Sequence, residues 1–174
     1  WPAAPLRSRQ RATVRVATND GGWSEPAVVE AGLLDPSDWT ARFISPAGIA
    51  GLEQPAPVLT GRLTVPGDVA RARLYITAHG LYEAELNGQR VGDQQLTPGW
   101  TSYDHRLRYQ TYDVTDLVRN GDNRIDVLLG NGWYRGRLGF RGQRAVYGDR
   151  LALLAQLEVT TADGQVHVLD SDGS

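Results

Sequence analysis

The chain of 174 residues has no cysteine, no methionine and no lysine. Without cysteine no disulfide can staple the fold and no thiolate can act as nucleophile or metal ligand, and the redox compartment stays unmarked. All 18 basic side chains are arginine, a bias that fits a GC-rich coding sequence. Net charge is −2 with arginines and acids interspersed. That leaves no basic stripe for nucleic acid and no polybasic anchor for a membrane surface. The longest apolar runs fall far short of the roughly 20 residues that span a bilayer. No leader sequence is visible, so a secreted and a cytoplasmic location both stay open. Aromatic residues make up only 8%. A chain of this size still buries roughly 70% of its unfolded surface, enough for a core without metal or disulfide.

What the chain does have is strand patterning. "ARARLYITAHGLYEAELNG" alternates at period two, placing Leu74, Ile76 and Ala78, then Tyr82, Ala84 and Leu86, on inward faces. His79-Gly80 between the runs predicts a tight connection, and Asn87-Gly88 a type I′ turn. Ile125, Val127 and Leu129 share one face of a further strand. Leu151, Leu153, Ala155, Leu157 and Val159 share another, followed by the Asp163-Gly164 turn and "QVHVLD". "LRYQTYDV" shifts phase midway, which a bulge near Thr111 would reconcile. One helical turn is expected at "TDLVRNG", capped by Asp113 or Thr115 and stopped by Gly121. About eight short strands with Gly, Pro and Asn turns predict an all-β, antiparallel, jelly-roll-like sandwich with one short helical turn.

The pattern divides the chain at a Pro-containing linker, "LLDPSD". Residues 1–35 read as a hairpin plus linker, and residues 36–174 as the sandwich. A lone hairpin is marginal in water, so it docks or belongs to a domain whose other strands lie upstream. The chain starts at Trp1-Pro2 and ends in "DSDGS" without a cap, so a parent polypeptide continuing in both directions is expected.

Four large rings, Trp100, Tyr103, Tyr109 and Tyr112, fall within 13 residues. Each would bury roughly 150–250 Å², worth about 4–6 kcal/mol of gross transfer energy. Leaving all four wet would exceed a domain's net stability of about 5–15 kcal/mol. The expectation is therefore that most of them fill the core. A second cluster, "GNGWYRGRLGF", sets Trp133, Tyr134 and Arg135 at the exit of a flexible Gly130-Asn131-Gly132 loop. An aromatic, an Arg and an Asn suit a sugar, the ring covering C–H faces and the polar groups meeting hydroxyls. The competing reading is a glycine bend with Trp133 plugging the sandwich end.

Catalytic signals are weak. Glycoside cleavage needs two carboxyl groups about 5–10 Å apart. Glu83 and Glu85 share a strand face, but they alternate with inward residues and so face solvent. Ser102, Asp104 and His105 lack an elbow motif. The three histidines show no metal-ligand spacing. "GDN" at 121–123 could offer oxygens to Ca²⁺ but also reads as an ordinary turn. No catalytic residue is assigned.

"LYITAHGLYEAELNGQRVGDQQLTPGWTSYDHRLRYQTYDVTDLVRNGDN", continuing into "GNGWYRG", closely resembles the N-terminal β-sandwich domain of bacterial α-L-rhamnosidases, glycoside hydrolase family 78. The resemblance spans roughly Trp39 to Asp172, and "VRVATNDGGWSEPAVVEAGLLDPSDWTARFI" is similar to the closing strands of a preceding fibronectin-type domain. It implies a parent enzyme that removes terminal L-rhamnose with inversion, using carboxylates on a downstream α/α barrel that nothing here matches. The fragment itself is then inactive. The partners implied are L-rhamnosides, through the parent enzyme, and the parent's catalytic domain. Some members of the domain family hold Ca²⁺ against rhamnose through an acid/amide pair. By resemblance Asn87 and Asn131 are the weak Ca²⁺ candidates here, although Leu86 stands where the acid would precede Asn87. The candidates for sugar binding or a domain interface are therefore Asn87, Trp100, Tyr103, Asn131, Trp133, Tyr134 and Arg135, with no cofactor required.

Overall fold

A computed structural model describes residues 4–48 and 54–172. The chain divides into two compact units, Trp1–Thr40 and Ala41–Ser174. In the first unit, β1 (Arg11–Val14) and β2 (Ala27–Glu30) form an antiparallel hairpin, in register from Arg11 opposite Glu30 to Val14 opposite Ala27. Arg11 and Glu30 add an ion pair at 3.4 Å. A 3₁₀ turn at Pro36–Asp38 follows, its first turn capped by the Asp35 carboxylate accepting from the Ser37 amide. Trp23 and Val28 stay exposed on this hairpin.

The second unit is built on two four-stranded antiparallel sheets. Its strands are β3 (Val58–Val65), β4 (Val69–His79), β5 (Leu81–Leu86), β6 (Gln89–Arg90), β7 (Gln110–Asp113) and β8 (Gly121–Gly130), and later β11 (Ala152–Thr161) and β12 (Val166–Asp170). The first sheet runs β12-β11-β4-β7 and the second β3-β8-β5-β6. Between β8 and β11 come a single α-turn, α1 (Gly132–Arg135), and a small pair, β9 (Arg137–Leu138) with β10 (Gln143–Arg144). The core lies between the two sheets. Leu74, Ile76 and Ala78 of β4 and Leu153, Leu157 and Val159 of β11 meet Tyr82, Ala84 and Leu86 of β5 and Ile125, Val127 and Leu129 of β8, all buried. Period-two patterning thus sets which side of each strand faces this core, although the middle of β4, from Ala72 to Ala78, is buried on both faces.

β4 and β5 are consecutive in sequence yet belong to different sheets, so His79-Gly80 is a corner between layers and not a hairpin. Asn87 (φ 54°) and Gly88 (φ 77°) do form the expected two-residue hairpin turn between β5 and β6.

Three expectations need correction. No bulge interrupts β7, whose pairing with β4 is continuous from Gln110 opposite Ile76 to Asp113 opposite Arg73. The phase shift arises because residues 107–109 lie outside the strand; the register shift in this sheet is at Thr160/Thr161 of β11. The expected helical turn is a 3₁₀ turn, Thr115–Leu117, with the Asp113 carboxylate accepting from the Thr115 amide and hydroxyl. The α-helical turn is instead α1, in the stretch read as a flexible glycine loop. Finally, of the four rings between residues 100 and 112, Tyr112 packs against the core and the other three do not join it. Tyr103, Tyr109 and Tyr112 are half-buried, and Trp100 is 53% exposed. The buried rings sit on strands: Tyr82 of β5 faces the core, and Tyr75 lies on the face of β4 opposite Leu74 and Ile76.

Candidate functional site: an aromatic ladder at one end of the sandwich

At one end of the second unit, rings from five segments meet. The strand β8 stops at Gly130, and Gly132 (φ 51°) turns the chain into α1. A Cβ at Gly132 would come within 2.5 Å of Leu81 Cγ, so only glycine lets α1 lie this close to the start of β5. The turn projects Trp133 and Tyr134 toward the β7-side loop carrying Trp100 and Tyr103.

The result is a ladder. Trp100 stacks on Trp133 with centroids 5.9 Å apart and planes 10° from parallel. The Trp100 indole N–H donates to the Tyr147 hydroxyl at 3.2 Å. Tyr147 tilts against Tyr103 at 4.9 Å, and Tyr103 meets the edge of Tyr134 at 5.2 Å. Tyr134 stacks on His79 at 4.7 Å, and His79 on Phe43 at 4.5 Å. The rings recover by covering one another much of the burial they would have gained in a core, and offset or edge contacts each add about 0.5–1.5 kcal/mol.

Burial lowers the His79 pKa below its ordinary 6.5, because the two flanking rings offer no water to the imidazolium. Burial likewise raises the Tyr103 and Tyr134 hydroxyls, with Tyr147 adding to the first and Asp149 and Asp104 to the second. These phenols stay neutral and can only donate or accept hydrogen bonds.

Beneath the ladder, Arg135 is only 3% exposed. Its guanidinium reaches Asn131 Oδ1 at 3.5 Å. It lines a polar pocket of about 440 Å³ with Ser45, Asp149, Arg150 and Leu151.

Of the seven residues singled out from the sequence, Trp100, Tyr103, Asn131, Trp133, Tyr134 and Arg135 therefore gather at one end. Asn87 does not. Its amide donates to Leu117 O and to Asn123 Oδ1, both at 2.8 Å, and its oxygen accepts from the Arg124 amide at 2.9 Å. It is a latch tying the β5–β6 turn to β8. Because Gly130 pairs with Leu81 and Asn87 follows Leu86, the length of β5 separates Asn87 from Asn131, roughly 20 Å at strand rise. The two amides do not make one Ca²⁺ site. Among the described residues no three His, Asp or Glu side chains gather as metal ligands. Sequence reasoning missed His79, Phe43 and Tyr147. His79 was legible only as a turn residue, and nothing local marks the other two.

Glu83 and Glu85 lie exposed on the outer face of the second sheet, Glu83 3.8 Å from Arg90. The fold and this end together define a non-helical sandwich domain whose distinctive surface is aromatic, with its carboxylates spread over a solvated face.

Comparison with known proteins places that domain. The α-L-rhamnosidase N-terminal domain family matches residues 67–174, and the chain belongs to that family. An α-L-rhamnosidase of Streptomyces avermitilis is 49% identical over 151 residues, 82% of this chain and 14% of that protein. The crystal structure of an Aspergillus terreus α-L-rhamnosidase superposes with a TM-score of 0.90 at 46% identity, over 99% of this chain and 21% of the other. A Streptomyces avermitilis α-L-rhamnosidase complexed with L-rhamnose has a TM-score of 0.65 at 51% identity, over 68% of this chain and 12% of that one. The chain thus spans about a fifth or less of the length of these relatives.

Proposed function

We propose that the chain is the non-catalytic N-terminal accessory part of an enzyme that removes terminal L-rhamnose from glycosides. Its ringed end borders or braces a catalytic α/α barrel elsewhere in the longer polypeptide. On this reading residues 1–35 are the closing hairpin and linker of a fibronectin-type domain, and residues 36–174 are an accessory sandwich that the parent polypeptide continues. The observation that carries the reading is the ladder itself, a seven-ring assembly at the surface of a rhamnosidase-family domain. Its outer members stay exposed, at 53% for Trp100, so their stacking leaves ring surface that a neighbouring domain can still cover. The dispersed carboxylates support the absence of catalysis, since Glu83 and Glu85 face solvent beside Arg90 and not a shared sugar.

A second reading rests on the near-parallel Trp100–Trp133 pair above Asn131 and Arg135, which suits an L-rhamnose or plant-glycoside-binding module. One set of measurements on the isolated chain separates these readings. The accessory role expects no release of the leaving group from an aryl rhamnoside and no saturable change in Trp fluorescence with L-rhamnose up to tens of millimolar. Saturation at mM concentration, about −4 kcal/mol, would favour the sugar module. With Asn87 committed to its latch, added Ca²⁺ is expected to leave either titration unchanged. Measurable hydrolysis would overturn the accessory reading.

A further inference from the structure

The outer face of the second sheet changes character along its length. Its cross-strand rows are polar for most of the way. Thr64 donates to Asp122 at 2.7 Å, Thr60 donates to Asp126 at 2.6 Å, and Arg124 pairs with Asp126 at 2.7 Å. The last row differs. Val58 opposes Leu128, which opposes Glu83, and the two aliphatic side chains are 55% and 40% exposed. Beside them Leu96, 56% exposed, shares a shallow groove of about 180 Å³ with Leu128, Ala56 and Leu81.

Leu96 also has a φ of 55°, in the left-handed region. For a residue with a Cβ this conformation costs about 1–2 kcal/mol, and asparagine or glycine would hold it more cheaply. A leucine here is rewarded by neither its backbone nor its burial in this domain alone. Departures from local rules of this kind mark positions whose gain lies in another contact.

We propose that the Val58–Leu128–Leu96 row is a docking surface for an apolar patch on the catalytic part of the same, longer polypeptide. The proposal rests on the accessory-domain reading and adds a second surface to the ringed end. The occupant follows from two observations. Relatives are five to eight times longer than the span they share with this chain, so most of such a polypeptide lies outside the sandwich. The row is mostly aliphatic, with no flat π-face and with Glu83 between Leu128 and Leu96, so it suits packed side chains with a cation to meet that carboxylate and not a sugar.

Hydroxyl-radical footprinting of the 174-residue chain and of the full-length polypeptide containing it tests this. Leu96 and Leu128 are expected to label readily in the short chain and several-fold less in the long one. The double variant Leu96→Gly/Leu128→Ser should leave the melting temperature of the short chain unchanged or raised, because glycine relieves the left-handed backbone, and should lower that of the full-length protein. Equal labelling in both lengths would overturn the proposal, as would a double variant that leaves the full-length protein unaffected. Concentration-dependent dimerisation of the short chain, abolished by the double variant, would assign the surface to a second copy and equally overturn it. Failure of the accessory reading is distinguishable, because it shows as hydrolysis by the short chain itself.

Discussion

His79 holds its place through what it lacks. Flanked at 4.5 and 4.7 Å by Phe43 and Tyr134, the imidazole gives up water on both faces without gaining an anionic partner in the stack. Its pKa is depressed in the folded state, so the unfolded chain takes up the proton first as pH falls. The neutral stack's contribution is therefore complete above the ordinary value of 6.5 and is lost as pH drops toward the depressed one. The melting temperature is expected to fall between about pH 7.5 and about pH 5, and the fall should be shallower in His79→Phe, which keeps a ring in the slot but does not titrate. Matched pH profiles of the two proteins would refute this. Nothing near His79 in the sequence announces the stack, because Phe43 and Tyr134 lie 36 residues before it and 55 after it.

Elements carry the next level of constraint. The passage from β4 to β5 moves the chain from one sheet to the other within a single residue, Gly80, at φ 123°. A Cβ there would stand 2.4 Å from Gly130 O and 2.7 Å from Leu151 Cδ2. Gly80→Ala therefore adds steric overlap with backbone to conformational strain, and a loss of about 3 kcal/mol or more is expected. Gly88→Ala, in a turn where a Cβ meets nothing within 4 Å, should cost only about 1–2 kcal/mol. Urea denaturation of the two variants gives the comparison, and equal losses would show that the corner is not tightly packed. The Asn-Gly turn was legible because one dipeptide satisfies both left-handed positions. The α1 turn was not, because its four residues, Gly-Trp-Tyr-Arg, have no helical propensity pattern and are held by Leu81 beneath them.

Across the whole molecule, the two sheets meet through residues that alternate along every long strand, while the outer face of the second sheet stays polar except at the Val58–Leu128 row and that of the first also carries Tyr75, Val166 and Val168. Leu157, 1% exposed at the centre of β11, should cost about 2–5 kcal/mol when cut to alanine. Leu128→Ala on the outer face should stay within about 0.5 kcal/mol in the isolated chain. Thermal or chemical melts of both decide this, and a large loss for Leu128 would mean that its row is already covered. The all-β class, the inward face of each strand and the family were all readable from residue order. Alternation at period two and turn dipeptides are local signals, and burial of one strand face follows from them wherever the strand pairs. Which strands share a sheet, which rings stack and which amide serves as a latch were decided only by the tertiary structure. Those outcomes depend on contacts between residues tens of positions apart, whose free energies exist only once the two sheets have closed on each other.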